Sequence, residues 1–197
     1  AVKAKDEILH ILDRIEEEGV RAGISIKLTQ IGMGLDASLC RENLTEILHK
    51  AQTQENFVRI DMEESAYTET TLDFFLDMVN DGYRDVVGIV LQSYLYRTED
   101  DLKKILDHNG KVRLCKGAYK EPPEVAFPKK SAVDGNYDRL ASLLLDCSLE
   151  ADSTLSEDGK FPPIPAIATH DEERIGFAKQ YAERIDLPQA GIEFQML

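Results

Sequence analysis

The sequence predicts an α/β fold, a distorted TIM-like (β/α)8 barrel of which this chain carries about six strands. Three observations predict it. Helical and strand periods alternate along the whole chain. The strand segments include apolar runs without alternation, such as Val86-Val87-Gly88-Ile89-Val90-Leu91, the pattern of parallel strands covered on both faces. Polar residues recur at several strand ends rather than at one switch point, which favours a closed barrel over an open doubly wound sheet. Eight units need about 250 residues, and the chain has 197. One unit or more is therefore expected to be missing, at both ends, and the start at Ala1 suggests an internal piece of a longer polypeptide. Residues 1–197 read as a single domain.

Taken in order, Ile8, Ile11, Leu12 and Ile15 fall on one helical face, and Ile24 to Leu28 follow as a strand. Leu44, Ile47, Leu48 and Ala51 predict a second helix before the strand Phe57 to Met62. Leu72, Phe75, Leu76 and Val79 precede Val86 to Gln92; Leu102, Ile105 and Leu106 precede Val112 to Lys116. Leu140, Leu143, Leu144 and Cys147 precede Ile164 to His170, and Ile175, Ala178, Ala182 and Ile185 precede Ile192 to Leu197. Thr98 to Asp101 reads as a capping box, and Asp171-Glu172-Glu173 as acidic charge on a helix N-terminus. Gly19, Gly82 and Gly110 sit where helices should stop.

Composition excludes several classes of function. The formal net charge is −14 and the pI about 4.7, so the surface repels phosphate backbones and nucleic acid is not an expected partner. Broad docking on anionic lipid is disfavoured for the same reason, although a local peripheral membrane contact stays open. No segment is long and apolar enough to span a bilayer. Cys40, Cys115 and Cys147 are widely separated and odd in number, which fits a reducing, cytoplasmic compartment. Gly32-Met33-Gly34-Leu35-Asp36-Ala37 matches a GxGxxA pattern, but Thr29 to Ile31 separate it from the strand and Asp36 would face the phosphates. It reads as a βα loop.

In this architecture chemistry sits at the C-terminal strand ends. In order these ends carry Lys27, Asp61, Gln92, Arg113 with Lys116, His170 and Gln195. Each also has a structural reading: a solvated lysine, a helix cap, a polar strand terminus, half of an interior ion pair. Six at equivalent positions point to a site. Lys27, Arg113 and Lys116 make it cationic within an acidic protein, which suits an anionic ligand, with Asp61 to neutralise one of them. A divalent metal fits less well, since only Asp61 and His170 offer ligands. Arg113, Cys115, Gly117 and Tyr119 share parity and would share a face while the chain stays extended. Gly117 would allow close backbone approach to a ligand.

The ordered stretches Ile26-Lys27-Leu28-Thr29, Arg59-Ile60-Asp61-Met62-Glu63, Val90 to Arg97, Val112 to Pro122, Val125-Ala126-Phe127-Pro128, Ala168-Thr169-His170-Asp171 and Phe194-Gln195-Met196-Leu197 closely resemble the flavin-dependent proline dehydrogenases, especially the monofunctional bacterial type. The resemblance runs over nearly the whole chain. It implies a distorted β/α barrel that binds FAD at the strand ends and oxidises L-proline to Δ1-pyrroline-5-carboxylate by hydride transfer to flavin N5. Electrons then pass to a membrane quinone. Residue by residue, it implies that Lys27 pairs with the substrate carboxylate, that Asp61 lies beside the substrate, and that Tyr119 and Leu197 line its pocket. Met62, Gln92, Arg113, Lys116, Gly117, Ala118, Thr169 and His170 fall where the family contacts FAD, Arg113 beside the reactive flavin nitrogen. The family's pair of arginines on a final helix has no counterpart in these residues, which weakens the expectation of proline binding by this piece alone. Two other readings compete. One is a Schiff-base aldolase using Lys27 or Lys116; the other is an incomplete barrel serving as an assembly module.

Overall fold

The computed structural model describes residues 1–196 and places six parallel strands in one sheet, in the order of the sequence. They are β1 (Ile24–Ile26), β2 (Val58–Ile60), β3 (Val87–Gln92), β4 (Lys111–Cys115), β5 (Pro165–Ala168) and β6 (Glu193–Gln195). Before each strand runs a helix: α1 (Val2–Glu17), α2 (Ala37–Thr53), α3 (Thr68–Met78), α4 (Thr98–Leu106), α5 (Lys130–Glu150) and α6 (Glu172–Arg184). Sequential parallel pairing with helical crossovers is the β/α barrel connectivity that the alternating periods predict.

The sheet is curled. Arg113 on β4 donates hydrogen bonds to Ser25 on β1 (3.1 Å), Asp61 just past β2 (3.2 Å) and Gln195 on β6 (2.5 Å). One side chain meets three other strands only from the concave side of a strongly bent sheet. Cross-strand partners share a face, so the register Ser25↔Arg59, Arg59↔Gly88, Gly88↔Lys111 and Arg113↔Ala166 lays out that concave surface. Its charged and small residues contrast with the convex face. There Val58, Ile60, Val87, Ile89, Val112, Leu114 and Ile167 pack under the helices with Leu44, Leu48, Phe75, Ile105, Leu140 and Leu144, all buried. Each of these larger side chains contributes about 1.5–3 kcal/mol of burial.

Gly88 shows how tightly the lower interior is filled. A Cβ there would lie 2.7 Å from the Phe57 ring, 2.8 Å from Arg59 Nη1 and 2.8 Å from the Lys111 carbonyl. Its absence leaves room for the buried Arg59 guanidinium, which lies 4.9 Å from the Phe57 ring centre and donates to the Lys111 carbonyl (3.3 Å).

Some local expectations are corrected. The Thr98 hydroxyl does not cap a helix. Thr98 is inside α4, its Oγ1 donates to the Gln92 carbonyl (2.6 Å), and Asp101 is taken by Arg97. Gly110 is not left-handed; Asn109 carries the positive φ of 53°, and a Cβ on Gly110 would meet Ile105 at 2.5 Å. Gly19 (φ 62°) and Gly82 (φ 95°) do end helical segments in the left-handed region. Asp171 caps α6, accepting from the Glu173 amide. Gly32 to Asp36 form turns before α2, and Asp36 caps that helix by accepting from the Leu39 amide.

Candidate functional site

Two polar groups form at the C-terminal strand ends. The first joins Lys27, Asp61 and Arg113. The Asp61 amide donates to the Ile26 carbonyl (2.8 Å), which fixes Asp61 beside the end of β1. Its carboxylate then lies between Lys27 Nζ (3.6 Å) and Arg113 Nη1 (3.2 Å). Two cations and one carboxylate leave a local excess of positive charge over the concave face, the condition for holding an anionic group. Glu63 accepts from both the Thr29 amide (3.2 Å) and the Thr29 hydroxyl (2.7 Å), tying the turn after Lys27 to the turn after Asp61.

The second group centres on Lys116, just beyond β4. Its ammonium donates to Asp134 on α5 and to Asp171 at the start of α6, both at 2.5 Å. The hydrogen bond from Lys116 holds the Asp171 carboxyl far below the usual carboxylate range, and lowers that of Asp134 as well. The Asp171 amide donates to Thr169 Oγ1 (3.1 Å), so Lys116, Thr169 and the neighbouring exposed His170 are drawn to one edge of the sheet.

Between the two groups lies Gln92, 3% exposed, whose Oε1 has no hydrogen-bond partner. A buried unpaired acceptor is costly, and a ligand N–H would satisfy it. Met62 is also buried. Gly117 stands at φ 112°, and a Cβ on it would meet the Tyr94 ring at 2.4 Å. This left-handed turn breaks the alternation expected through Tyr119. Arg113 and Cys115 share the concave face, while Ala118 and Tyr119 emerge into an exposed loop. That loop is anchored. Glu121 accepts from the Ser65 amide (2.7 Å) and hydroxyl (2.5 Å). The Tyr96 and Phe127 rings pack edge to face at 4.6 Å between centres. Cys115 donates to the Leu91 carbonyl, and burial pushes its thiol up to about 11. Leu197 lies outside the described residues.

The structure thus brings Lys27, Asp61, Arg113 and Gln195 into one group and Lys116 and Thr169 into another. Sequence reasoning passed over Ser25, Glu63, Asp134 and the buried Arg59. From the residues alone it read Asp171 as acidic charge at a helix N-terminus. Among the described residues no cluster of His, Cys, Asp and Glu could hold a metal ion.

The proline dehydrogenase family profile matches residues 1–197. The chain belongs to the proline dehydrogenase family. It is 38% identical to proline dehydrogenase 2 of Bacillus subtilis (strain 168) over 192 residues, covering 98% of this chain and 58% of that protein. It is 33% identical to the proline dehydrogenase of Deinococcus radiodurans over 195 residues, covering 98% and 58%. The chain therefore spans well under two thirds of the length of these family members. The solved structure of proline utilization A from Bdellovibrio bacteriovorus superposes with a TM-score of 0.84 at 22% identity, over 99% of this chain and 24% of that one. That likeness confirms the fold.

Proposed function

We propose that this chain is one barrel domain of an enzyme that oxidises L-proline to Δ1-pyrroline-5-carboxylate with FAD as cofactor and a quinone as electron acceptor. The observation that carries the reading is the Lys27–Asp61–Arg113 group, assembled from three strand ends in a chain of the proline dehydrogenase family. An amino acid substrate offers a carboxylate handle, and Lys27 is the ammonium free to bind it on the side away from Asp61. Asp61 holds Lys27 and Arg113 in fixed relation. Tyr119 and Leu197 would complete the substrate pocket.

The residues present fit FAD. Gln92 offers its unpaired buried acceptor, and Met62, Gly117, Ala118, Lys116, Thr169 and His170 surround the same strand ends. When bound, FAD would supply the two-electron acceptor for the C5–H bond of proline. Arg113, held by three partners, would present a fixed cation where negative charge develops. The aldolase reading is weaker, because Lys27 and Lys116 are both engaged by carboxylates rather than set in the apolar pocket that activates a Schiff-base lysine.

With a quinone as acceptor, the enzyme would work in the cytoplasm in peripheral contact with the inner face of the membrane. None of the described helices is long and apolar enough to cross a bilayer. Purified in its natural full length, the protein should show flavin absorbance and reduce a dye only when L-proline is added. A colourless protein that takes up no FAD and turns nothing over would refute the proposal.

A further inference from the structure

We infer that Asp171, together with Asp134, is a positioning residue for the cofactor cradle, setting the direction of the Lys116 ammonium rather than adding to its attraction for an anion. The inference rests on the FAD reading above and extends it to two residues with no assigned role.

Around Lys116 stand Lys130 and Arg174 as further cations and Asp134, Asp138 and Asp171 as carboxylates. Lys130 Nζ lies 2.6 Å from Asp134 and 3.4 Å from Asp171. Arg174 lies 2.9 Å from Asp138 and 3.8 Å from Asp134. Arg174 also lies 3.5 Å from Glu173, so three cations meet four carboxylates and this corner is not a general anion trap.

Geometry supplies what charge does not. An ammonium has three N–H donors. Lys116 spends one on Asp134 and one on Asp171, each at 2.5 Å, in a setting where its side chain is 23% exposed and theirs 10% and 19%. The third donor is left with a fixed direction. A lysine stem otherwise samples many rotamers, and ordering it on binding would cost affinity.

Asp171 does more than hold the lysine. One carboxylate oxygen takes Lys116 while the other accepts from the Glu173 amide (3.1 Å), and its own amide donates to Thr169 Oγ1 (3.1 Å). A single residue therefore sets the end of β4 against the end of β5, where Lys116, Gly117, Ala118, Thr169 and His170 of the expected FAD contacts lie. Asp134 and Asp171 come from different helices, so the pair also locks α5 and α6 to that corner.

The cap and the charge can be separated by experiment. Asn caps helices about as well as Asp, so Asp171→Asn keeps the bond to Glu173 and removes the carboxylate that holds Lys116. FAD affinity is read by titrating the FAD-free, full-length protein and following flavin fluorescence, and folding by the thermal midpoint of the same protein. Asp171→Asn is expected to weaken FAD binding about tenfold, the worth of one charge-assisted hydrogen bond, with the midpoint nearly unchanged. Asp171→Ala, which also removes the cap, should lower both. Asp134→Asn should weaken FAD binding in the same direction.

The decisive variant is the double one. If Asp171 acts through Lys116, then Asp171→Asn adds little once Lys116→Met is present. Wild-type FAD affinity in Asp171→Asn, or full additivity in the double variant, overturns the inference while leaving the FAD reading intact. So does wild-type affinity in Lys116→Met. A wild-type protein that binds no FAD overturns the reading and the inference together.

Discussion

Arg113 is the residue on which the site turns, because its planar fork meets three strands at once. Lysine carries the same charge but a single point of donation and cannot reproduce those bonds. Arg113→Lys is therefore expected to fold normally and to lose about 10²-fold in proline-dependent turnover, the usual cost of removing a preorganised donor. Steady-state dye reduction beside a denaturation curve checks it, and unimpaired turnover would remove Arg113 from the chemistry. Deeper in the barrel, Lys111 poses a question of stability. Burial lowers its pKa to about 8, although the Phe57 and Phe161 rings, 5.6 and 5.8 Å away, favour the cation. In the unfolded chain the same lysine titrates near its ordinary value, about 10.4. Below pH 8 both states bind the proton and the folded state bears the full burial penalty. Between about pH 8 and 10.4 the unfolded state binds more protons, so this lysine's contribution to stability rises with pH. Lys111→Met should abolish that rise. Urea denaturation at several pH values across the window compares the two slopes.

At the scale of the element, α4 illustrates how a buried charge fixes a helix start. The Asp101 side chain is 3% exposed and is held by Arg97 at 2.6 and 2.9 Å. Arg97 is partly exposed and also reaches Glu69 on α3. Arg97→Ala would leave the Asp101 carboxylate buried and unpaired, and is expected to cost about 2 kcal/mol, discounted for the exposed half of the pair. Replacing both, as Arg97→Met with Asp101→Leu, should recover most of that loss in equilibrium denaturation. The same helix shows where sequence reading stops. Its apolar stripe of Leu102 and Ile105 was legible, and so were the order and type of all twelve principal helices and strands, because burial imposes a period. Strand lengths were overread. Leu28 and Met62 are buried but lie beyond the paired residues of β1 and β2, and apolarity reports burial rather than hydrogen bonding. The lysine, aspartate and arginine at the strand ends were legible for a related reason: the architecture says where such residues must point. Their partners were not. Asp134 and Asp171 lie 18 and 55 residues from Lys116, and nothing in a single sequence links residues so far apart. Arg59 left only a weak signal, one charge inside an apolar strand.

For the whole molecule the open edges matter most. Among the described residues β1 pairs only with β2 and β6 only with β5, yet Arg113 touches both edge strands, so the gap between them is narrow. A cavity of about 270 Å³ opens there, lined by Arg21, Ser25, Arg59, Arg113, Glu193 and Gln195 among others. Unpaired edges recruit other strands. Two features of this chain restrain them. Both edges are only three residues long, and a formal net charge of −14 makes copies repel one another. The second restraint is sensitive to salt, whereas edge pairing is not, because a Debye length of about 10 Å at 0.1 M shrinks to about 3 Å at 1 M. The 197-residue chain expressed alone is therefore expected to be mainly monomeric in dilute buffer and to associate as salt and protein concentration rise. Sedimentation velocity across both variables measures this directly. A compact monomer throughout would mean that the edges are closed by the chain's own residues, and would count against the reading of this chain as an assembly module. Salt-driven association that disappears in the full-length protein would instead show that its additional residues cover the edges, as a closed barrel requires.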